Sequence, residues 1–312
     1  MKRVPRSSGE TVFAPPAGPW RPSERLMNSD TVWIHQDGEV TTAFCLGCPD
    51  SPCTRFTHDE LSLELKLQMP RNPDNSVCPS GAISQEVGSS PQFNSELCMS
   101  CGICIARCPV GALHLSDSGV EVSECDSDRV SYEETDFLDH RAQLEKSLLF
   151  ADQPDEVSLI QCLKRVEKFI DTTPEPDSVL RMLVRNILIM VGLPTQLSRT
   201  GDNNAVAECV VELGKSTMLL QIEHGSDLLD SLRRSIAMVA VAHSRYGLPM
   251  SELIAGVVVV RLPNMRVDYY EVITDVEKRL GIKIRTLPLA VLLASVGNPT
   301  LDLVELVANG MT

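Results

Sequence analysis

From position 178 onward the apolar residues fall at regular steps. In VLRMLVRNILIMVG (179–192) they occupy 179, 180, 183, 184, 187, 188 and 191, one face of a helix that stops at Gly192 with Pro194 beyond. Three short runs with strand character follow: TQLSRT (195–200), NAVAECVVEL (204–213) and STMLLQIEH (216–224), the last two joined at Gly214-Lys215. SDLLDSLRRSIAMVAVAHSRYG (226–247) predicts a helix with Ser226 as N-cap and Gly247 past its end. LIAGVVVVRL (253–262) is β-branched and does not alternate, as a strand buried on both faces requires. VDYYEVITDVEKRLG (267–281) predicts a helix with an Asp268…Glu271 capping box and a Gly281 stop. IKIRT (282–286) predicts another strand, and Pro288 is placed to open the helix after it. The order α-β-β-β-α-β-α-β-α predicts an α/β domain.

The first half has a different pattern. Residues 1–30 are rich in Pro, Ser and Arg, lack periodicity, and predict a mobile arm. TVWIHQDGEVTTAF (31–44) predicts two strands around an Asp37-Gly38 turn, and GVEVSECD (119–126) a closing strand. Residues 127–177 are acidic and helical in pattern, punctuated by Pro154, Pro174 and Pro176. The expected organisation is an arm (1–30), a cysteine-rich domain (31–126), an acidic helical linker (127–177) and the α/β domain (178–312).

Composition and charge narrow the function. At 43% hydrophobic and 22% charged, the chain is of globular type. Its opening residues contain no apolar leader, and no apolar run approaches the roughly 18 residues of a membrane span. A cytoplasmic location is expected, where eleven cysteines point to metal ligation rather than disulfides. The net charge of −14 is uneven: residues 1–140 carry 10 Lys+Arg against 21 Asp+Glu, the remainder 18 against 21. An acidic first half disfavours nucleic acid and suits a basic protein partner, although simple solubility would account for it equally well.

The cysteines are spaced for chemistry. Cys98, Cys101, Cys104 and Cys108 follow C-x2-C-x2-C-x3-C-P. Three thiolates at steps of three can wrap one corner of an iron–sulfur cube, and the fourth points toward a second cluster. A matching half exists in stretched form: Cys45, Cys48 and Cys53, then Cys78-Pro79. CPSGAI (78–83) and CPVGAL (108–113) share Cys-Pro-x-Gly-Ala-aliphatic. The competing reading, two structural zinc sites of four thiolates, fits less well, because zinc knuckles usually pair two short-spaced cysteines. Cys162 and Cys209 fall on apolar faces and are expected in the core; Cys125 lies outside the pattern, and His58 is expected to be solvated.

Over residues 40–116 the chain resembles the bacterial dicluster [4Fe-4S] ferredoxin family, on the strength of QFNSELCMSCGICIARCPVGALHL and the shared Cys-Pro-x-Gly-Ala turns. The resemblance implies an α+β ferredoxin-like module with two [4Fe-4S] clusters. Cys45, Cys48, Cys53 and Cys108 would hold one, and Cys98, Cys101, Cys104 and Cys78 the other. The departure is TRFTHDELSLELKLQMPRNPDNSV (54–77) between Cys53 and Cys78, where three residues would be usual; a helical excursion is expected. One-electron transfer to a protein redox partner or multi-subunit complex is the implied function, with redox sensing and structural bracing as the other uses of such clusters.

Residues 178–286 resemble, more weakly, the PD-(D/E)xK restriction-endonuclease-like fold, whose core is α-β-β-β-α-β. That resemblance implies a Mg²⁺ site at Asp202, Gln221 and Glu223, with Glu208 as a further acid and with Gln221 and Glu223 on one strand face. Glu223 stands where the family has lysine, and Gln221 removes a carboxylate. A catalytically weak or silent domain is therefore expected. The alternative is an Fe–S-bearing, Mg²⁺-dependent DNA nuclease, or an accessory subunit of a restriction, defence or repair system. His224 and Lys215 are not expected to serve that site, Arg233 and Arg234 are expected on a solvated face, and Gly201 in a turn. No G-x-G-x-x-G or P-loop is present to bind a flavin, nicotinamide or nucleotide.

Overall fold

The computed structural model describes residues 31–35, 45, 51–61, 65–67, 69–86, 89–108, 112–116, 119–122, 130–134, 156–199, 201, 207–225, 228–264, 268–297 and 305. The arm, the Asp37-Gly38 turn, Cys48, Cys125, Asp202 and Ser226 lie outside them. Two compact units divide the chain: 1–56 with 76–165 and 296–299, and 57–75 with 166–295 and 300–312.

The first unit is built of short antiparallel pairs. β1 (Thr31–His35) pairs with β6 (Val130–Glu134), Thr31 opposite Glu134, so its partner comes from a hundred residues along the chain. β2 (Ile83–Ser84) pairs with β3 (Gln92–Phe93), and β4 (Leu113–Ser116) with β5 (Gly119–Val122). Each of β2 and β4 leaves directly from a Cys-Pro-x-Gly-Ala turn. The closing strand expected at 119–126 is thus β5, observed to Val122.

The second unit is a five-stranded sheet in the order β11-β10-β9-β8-β7. β7 (Thr195–Leu197), β8 (Cys209–Leu213) and β9 (Ser216–Glu223) form an antiparallel meander; β10 (Leu253–Val259) and β11 (Lys283–Pro288) continue parallel to β9. Every residue of β10 is buried, which explains its unbroken apolar sequence. Gly256 in that strand is required by space: a Cβ would lie 2.3 Å from Leu220 Cδ2. Numbering helices along the chain, α1 (His58–Leu61), α2 (Ile103–Ala106) and α3 (Glu156–Thr172) precede α4 (Pro176–Met190), α5 (Leu228–Tyr246), α6 (Tyr269–Leu280) and α7 (Leu289–Gly297). From α4 onward the order is the predicted α-β-β-β-α-β-α-β-α.

Two local expectations change. The capping box at α6 does not form: Asp268 is itself helical (φ −63°, ψ −6°) and its side chain makes no cap bond, whereas Gly281 ends the helix at φ +68° as predicted. Pro288 is the last residue of β11, not the first of α7.

The excursion between Cys53 and Cys78 is helical only over α1, which Thr57 and Glu60 open with a reciprocal cap: the Thr57 N–H reaches Glu60 Oε2 (2.7 Å), and the Glu60 N–H reaches Thr57 Oγ1 (3.3 Å). Beyond it, residues 65–67 and 69–75 form neither helix nor strand, apart from a single Arg71–Ser198 bridge, and belong to the second unit. Leu65 and Leu67 are buried in the core formed with Val210, Leu219, Val239, Leu253 and Val257. The Lys66 N–H donates to the Glu212 carboxylate at 2.8 Å. Residues 69–72 then lie along β7: Gln196 Nε2 donates to the Met69 carbonyl, the Arg199 N–H to the Pro70 carbonyl, and the Asn72 N–H to the Leu197 carbonyl. This covers the edge of β7, which would otherwise expose unpaired backbone groups. Among the described residues the helix stops at Leu61, and Leu65 and Leu67 beyond it are drawn into the sheet core.

Candidate metal centre

The cysteine-bearing turns repeat in three dimensions. Two residues before the third cysteine of each motif, the backbone is left-handed: Ser51 (φ +49°) before Cys53, and Gly102 (φ +80°) before Cys104. Each such residue starts a tight turn. The Thr54 and Arg55 N–H groups donate to the Ser51 carbonyl, and the Ala106 N–H to the Gly102 carbonyl. Serine at the first position carries a conformational cost that glycine avoids at the second.

The Cys-Pro turns repeat as well. The Ala82 N–H donates to Cys78 Sγ and the Ala112 N–H to Cys108 Sγ, both at 3.2 Å. Gly81 is left-handed (φ +69°), which lets the turn bring that N–H back onto the sulfur. A donor aimed at sulfur favours thiolate over thiol and spreads charge off a metal-bound sulfur.

These turns bring together residues distant in sequence. An Arg55–Ser76 bridge and a Val77 N–H donated to the Thr54 carbonyl close the excursion at its base, so Cys78 returns beside the Cys53 turn. Cys78 and Cys98 act electrostatically on Cys101 and Cys104. Burial raises the Cys101 pKa, the neighbouring Cys78, Cys162 and Cys98 raise it further, and only the Ile103 N–H opposes them. Burial pushes Cys104 up most strongly, followed by Cys101, Cys78, Cys53 and Cys98. A set of thiols that buries and repels itself in this way is poised to be relieved by a cationic iron–sulfur unit. Gly119, at φ +129° where a side chain would be strained, lies against Cys98.

Cys45 is half-buried and Cys53 and Cys108 are buried. Among the described residues no three His, Cys, Asp or Glu side chains converge tightly enough to hold a single metal ion. The donor chemistry, sulfur with backbone N–H groups directed at it, fits an iron–sulfur cluster. His58 is exposed on α1, as expected.

Two residues near the thiols escaped sequence reasoning. Cys162, expected in the core, is half-buried on α3; its thiol donates to the Ser100 carbonyl at 3.3 Å and neighbours Cys101. Arg107 is fully buried, with Nε donating to the Pro52 carbonyl at 2.8 Å and its guanidinium 4.3 Å above the Phe56 ring. The signal for it was an arginine directly preceding a ligand-type cysteine. Cys209 is buried in β8 as expected, its thiol pushed up to about 12 chiefly by burial.

The other predicted site is held differently. Gln221 and Glu223 both face α5, on one side of β9. Gln221 is buried with Nε2 3.5 Å from Met238 Sδ, and its Oε1 has no hydrogen-bond partner among the described residues. Glu223 is tied up: one carboxylate oxygen accepts from Ser231 Oγ and Arg234 Nη2 (2.9 Å), the other from the Gly225 N–H (3.0 Å). Glu208 accepts the Ile222 N–H at 2.7 Å, and burial holds its carboxyl above the ordinary range. Arg233 and Arg234 are both exposed, as expected, and Arg234 also bridges Glu223 and Asp230. His224 lies 3.7 Å from Asp171, Lys215 is in the β8–β9 turn, and Gly201 is a left-handed turn residue (φ +80°).

The profile of the 4Fe-4S binding domain matches residues 91–114 of this chain. An uncharacterized ferredoxin of Methanocaldococcus jannaschii is 25% identical over 95 residues, which cover 30% of this chain and 44% of that protein. The chain thus spans less than half the length of that relative. No solved structure matches significantly.

Proposed function

We propose, starting from the ferredoxin-type 4Fe-4S binding domain at 91–114, that this chain carries single electrons to a protein partner through two [4Fe-4S] clusters. Cys98, Cys101, Cys104 and Cys78 would hold one cluster; Cys45, Cys48, Cys53 and Cys108 would hold the other. The observation that carries this reading is the repeated Cys-Pro turn, in which the Ala82 and Ala112 N–H groups donate to Cys78 Sγ and Cys108 Sγ, both at 3.2 Å. Cys78 and Cys53, from the first repeat, also act electrostatically on Cys104 of the second, which supports a crossover of thiols between the repeats. When bound, the clusters supply reversible one-electron chemistry. The chain's own residues bury them, direct the Ala82 and Ala112 N–H groups at sulfur, and set the surrounding charge. The acidic first half favours a partner with a basic face. No helix among the described residues is long and apolar enough to cross a membrane, and we place the protein in a thiol-reducing compartment, the cytoplasm.

For the second unit we propose a restriction-endonuclease-like fold without cleavage activity. β7, β9, β10 and β11 run one way and β8 the other, consistent with that fold. A Mg²⁺ site needs free oxygen ligands. Gln221 is a neutral, buried amide and Glu223 is engaged by an arginine and a serine, which supports a silent domain.

The test is anaerobic purification with iron and acid-labile sulfide quantitation and EPR. About eight irons per chain and an absorbance bleached by dithionite are expected. Colourless, zinc-loaded protein without sulfide would remove the reading.

A further inference from the structure

The loop between Cys53 and Cys78 is fixed at its ends by one unit and along its middle by the other. At the base, within the cysteine unit, Arg55 bridges Ser76 and the Val77 N–H donates to the Thr54 carbonyl at 2.9 Å. Val77, directly ahead of Cys78, is 0% exposed. Between those pairs the chain passes into the sheet unit after Phe56 and returns after Asn75.

Inside the sheet unit the loop is held at successive points. Leu65 and Leu67 are buried in the core, and the Lys66 N–H between them donates to Glu212 at 2.8 Å. Gln196 Nε2 donates to the Met69 carbonyl (3.0 Å), and the Asn72 N–H to the Leu197 carbonyl of β7 (2.8 Å). Arg71 Nη1 donates to the Leu61 carbonyl at 3.0 Å, which ties the returning limb to the outgoing one. Arg185 of α4, 2% exposed, donates from Nη1 to the Asp74 carbonyl at 2.6 Å. That last grip falls just ahead of the point where the chain re-enters the cysteine unit and presents Cys78.

A loop held along its middle has less freedom left to lose when its ends close, and the converse holds equally. Fixing Cys78 and docking residues 65–75 therefore favour one another, and linkage makes the effect the same in both directions. We propose that this loop is a strap coupling the metal state of the cysteine unit to the β7 edge of the sheet: ligation of Cys78 tightens residues 65–75 on β7 and α4, and loss of the metal loosens them. The inference rests on the cluster reading above, through the thiol set Cys78, Cys98, Cys101 and Cys104. The sheet unit then senses whether the cysteine unit is loaded, and the cysteine unit holds its metal better when the strap is seated.

The experiment is hydrogen exchange followed by mass spectrometry, on the anaerobic full-length holoprotein and on the same protein stripped of iron by a chelator. Peptides spanning 65–75 are expected to exchange several-fold faster after stripping, while those of β10 keep the holoprotein rate. Unchanged exchange at 65–75 overturns the inference, as does an equal rise at 65–75 and β10, which is loosening of the whole unit and not of the strap. The reverse direction is read from iron release to a chelator, at a temperature where circular dichroism shows each variant folded. Leu67→Ala is expected to release iron faster than wild type. Tyr269→Phe, which weakens the same unit at its bond to Thr286 of β11, is expected to release it at the wild-type rate. Wild-type release from Leu67→Ala, or equal acceleration in both variants, overturns the coupling. Should Leu67→Ala fail to accumulate, the exchange comparison on wild-type protein decides. Iron-loaded wild type that fails these tests loses this inference alone, whereas wild type without acid-labile sulfide removes the cluster reading as well.

Discussion

Leu67→Ala should unfold the sheet unit from a position that sequence assigns to the cysteine module. Leu67 is 0% exposed, in a core shared with Val210, Leu219, Leu253 and Val257. Truncation removes three carbons from a site hemmed in by strands that cannot readily collapse onto the gap. Leucine-to-alanine changes in such sites cost about 2–5 kcal/mol. For a domain of roughly 150–250 residues, each kcal/mol lowers Tm by about 2–4 °C, so the sheet unit should melt roughly 4–20 °C earlier. Calorimetry on anaerobic protein reads this transition, with far-UV circular dichroism as a second probe. Leu97→Ala, at a position 41% exposed, is the control and should stay within about 0.5 kcal/mol of wild type. A Leu67→Ala transition within about 2 °C of wild type would refute the assignment of the excursion to the sheet core.

Three further outcomes are expected. Burial raises the Glu208 pKa, so the folded chain keeps that proton to higher pH than the unfolded chain; stability should fall as pH rises from the ordinary glutamate value through the raised one. Glu208→Gln should flatten that slope in urea midpoints measured across roughly pH 4–8, and an unchanged slope would show the carboxyl to be solvated. Supercoiled DNA incubated with the protein and Mg²⁺ or Mn²⁺ should remain uncut, and metal-dependent cleavage that disappears in Glu223→Ala would contradict the silent-domain reading. Tyr269 and Thr286 share a buried hydroxyl–hydroxyl bond of 2.8 Å, so Tyr269→Phe should cost about 1–2 kcal/mol and lower the urea midpoint at constant m-value.

What the sequence made legible was local. The steps of three among Cys98, Cys101 and Cys104 and the apolar face of α4 are short-range patterns, and both Cys-Pro-x-Gly-Ala turns could be matched by eye. In the sheet, β8, β9 and β10 came out within a few residues of their observed ends, because β-branched runs and the Gly214-Lys215 turn mark them. What stayed hidden was pairing across distance. β1 finds its partner at Val130–Glu134, and nothing within either segment names the other. The excursion carried no mark of belonging to a sheet whose strands begin at Thr195. At the candidate sites, residue types were readable but their engagements were not: Arg234 neutralises Glu223, and Arg107 reaches back 55 residues to Pro52.

The path of the chain bears on how such a protein is made. Synthesis delivers Leu65 and Leu67 long before their neighbours Leu219 and Leu253 emerge from the ribosome. Those leucines must wait, unsheltered, while the intervening stretch is translated, a natural occasion for chaperone engagement. Nor can the two bodies be cloned apart at any single site, because the thread passes out of one, into the other and back.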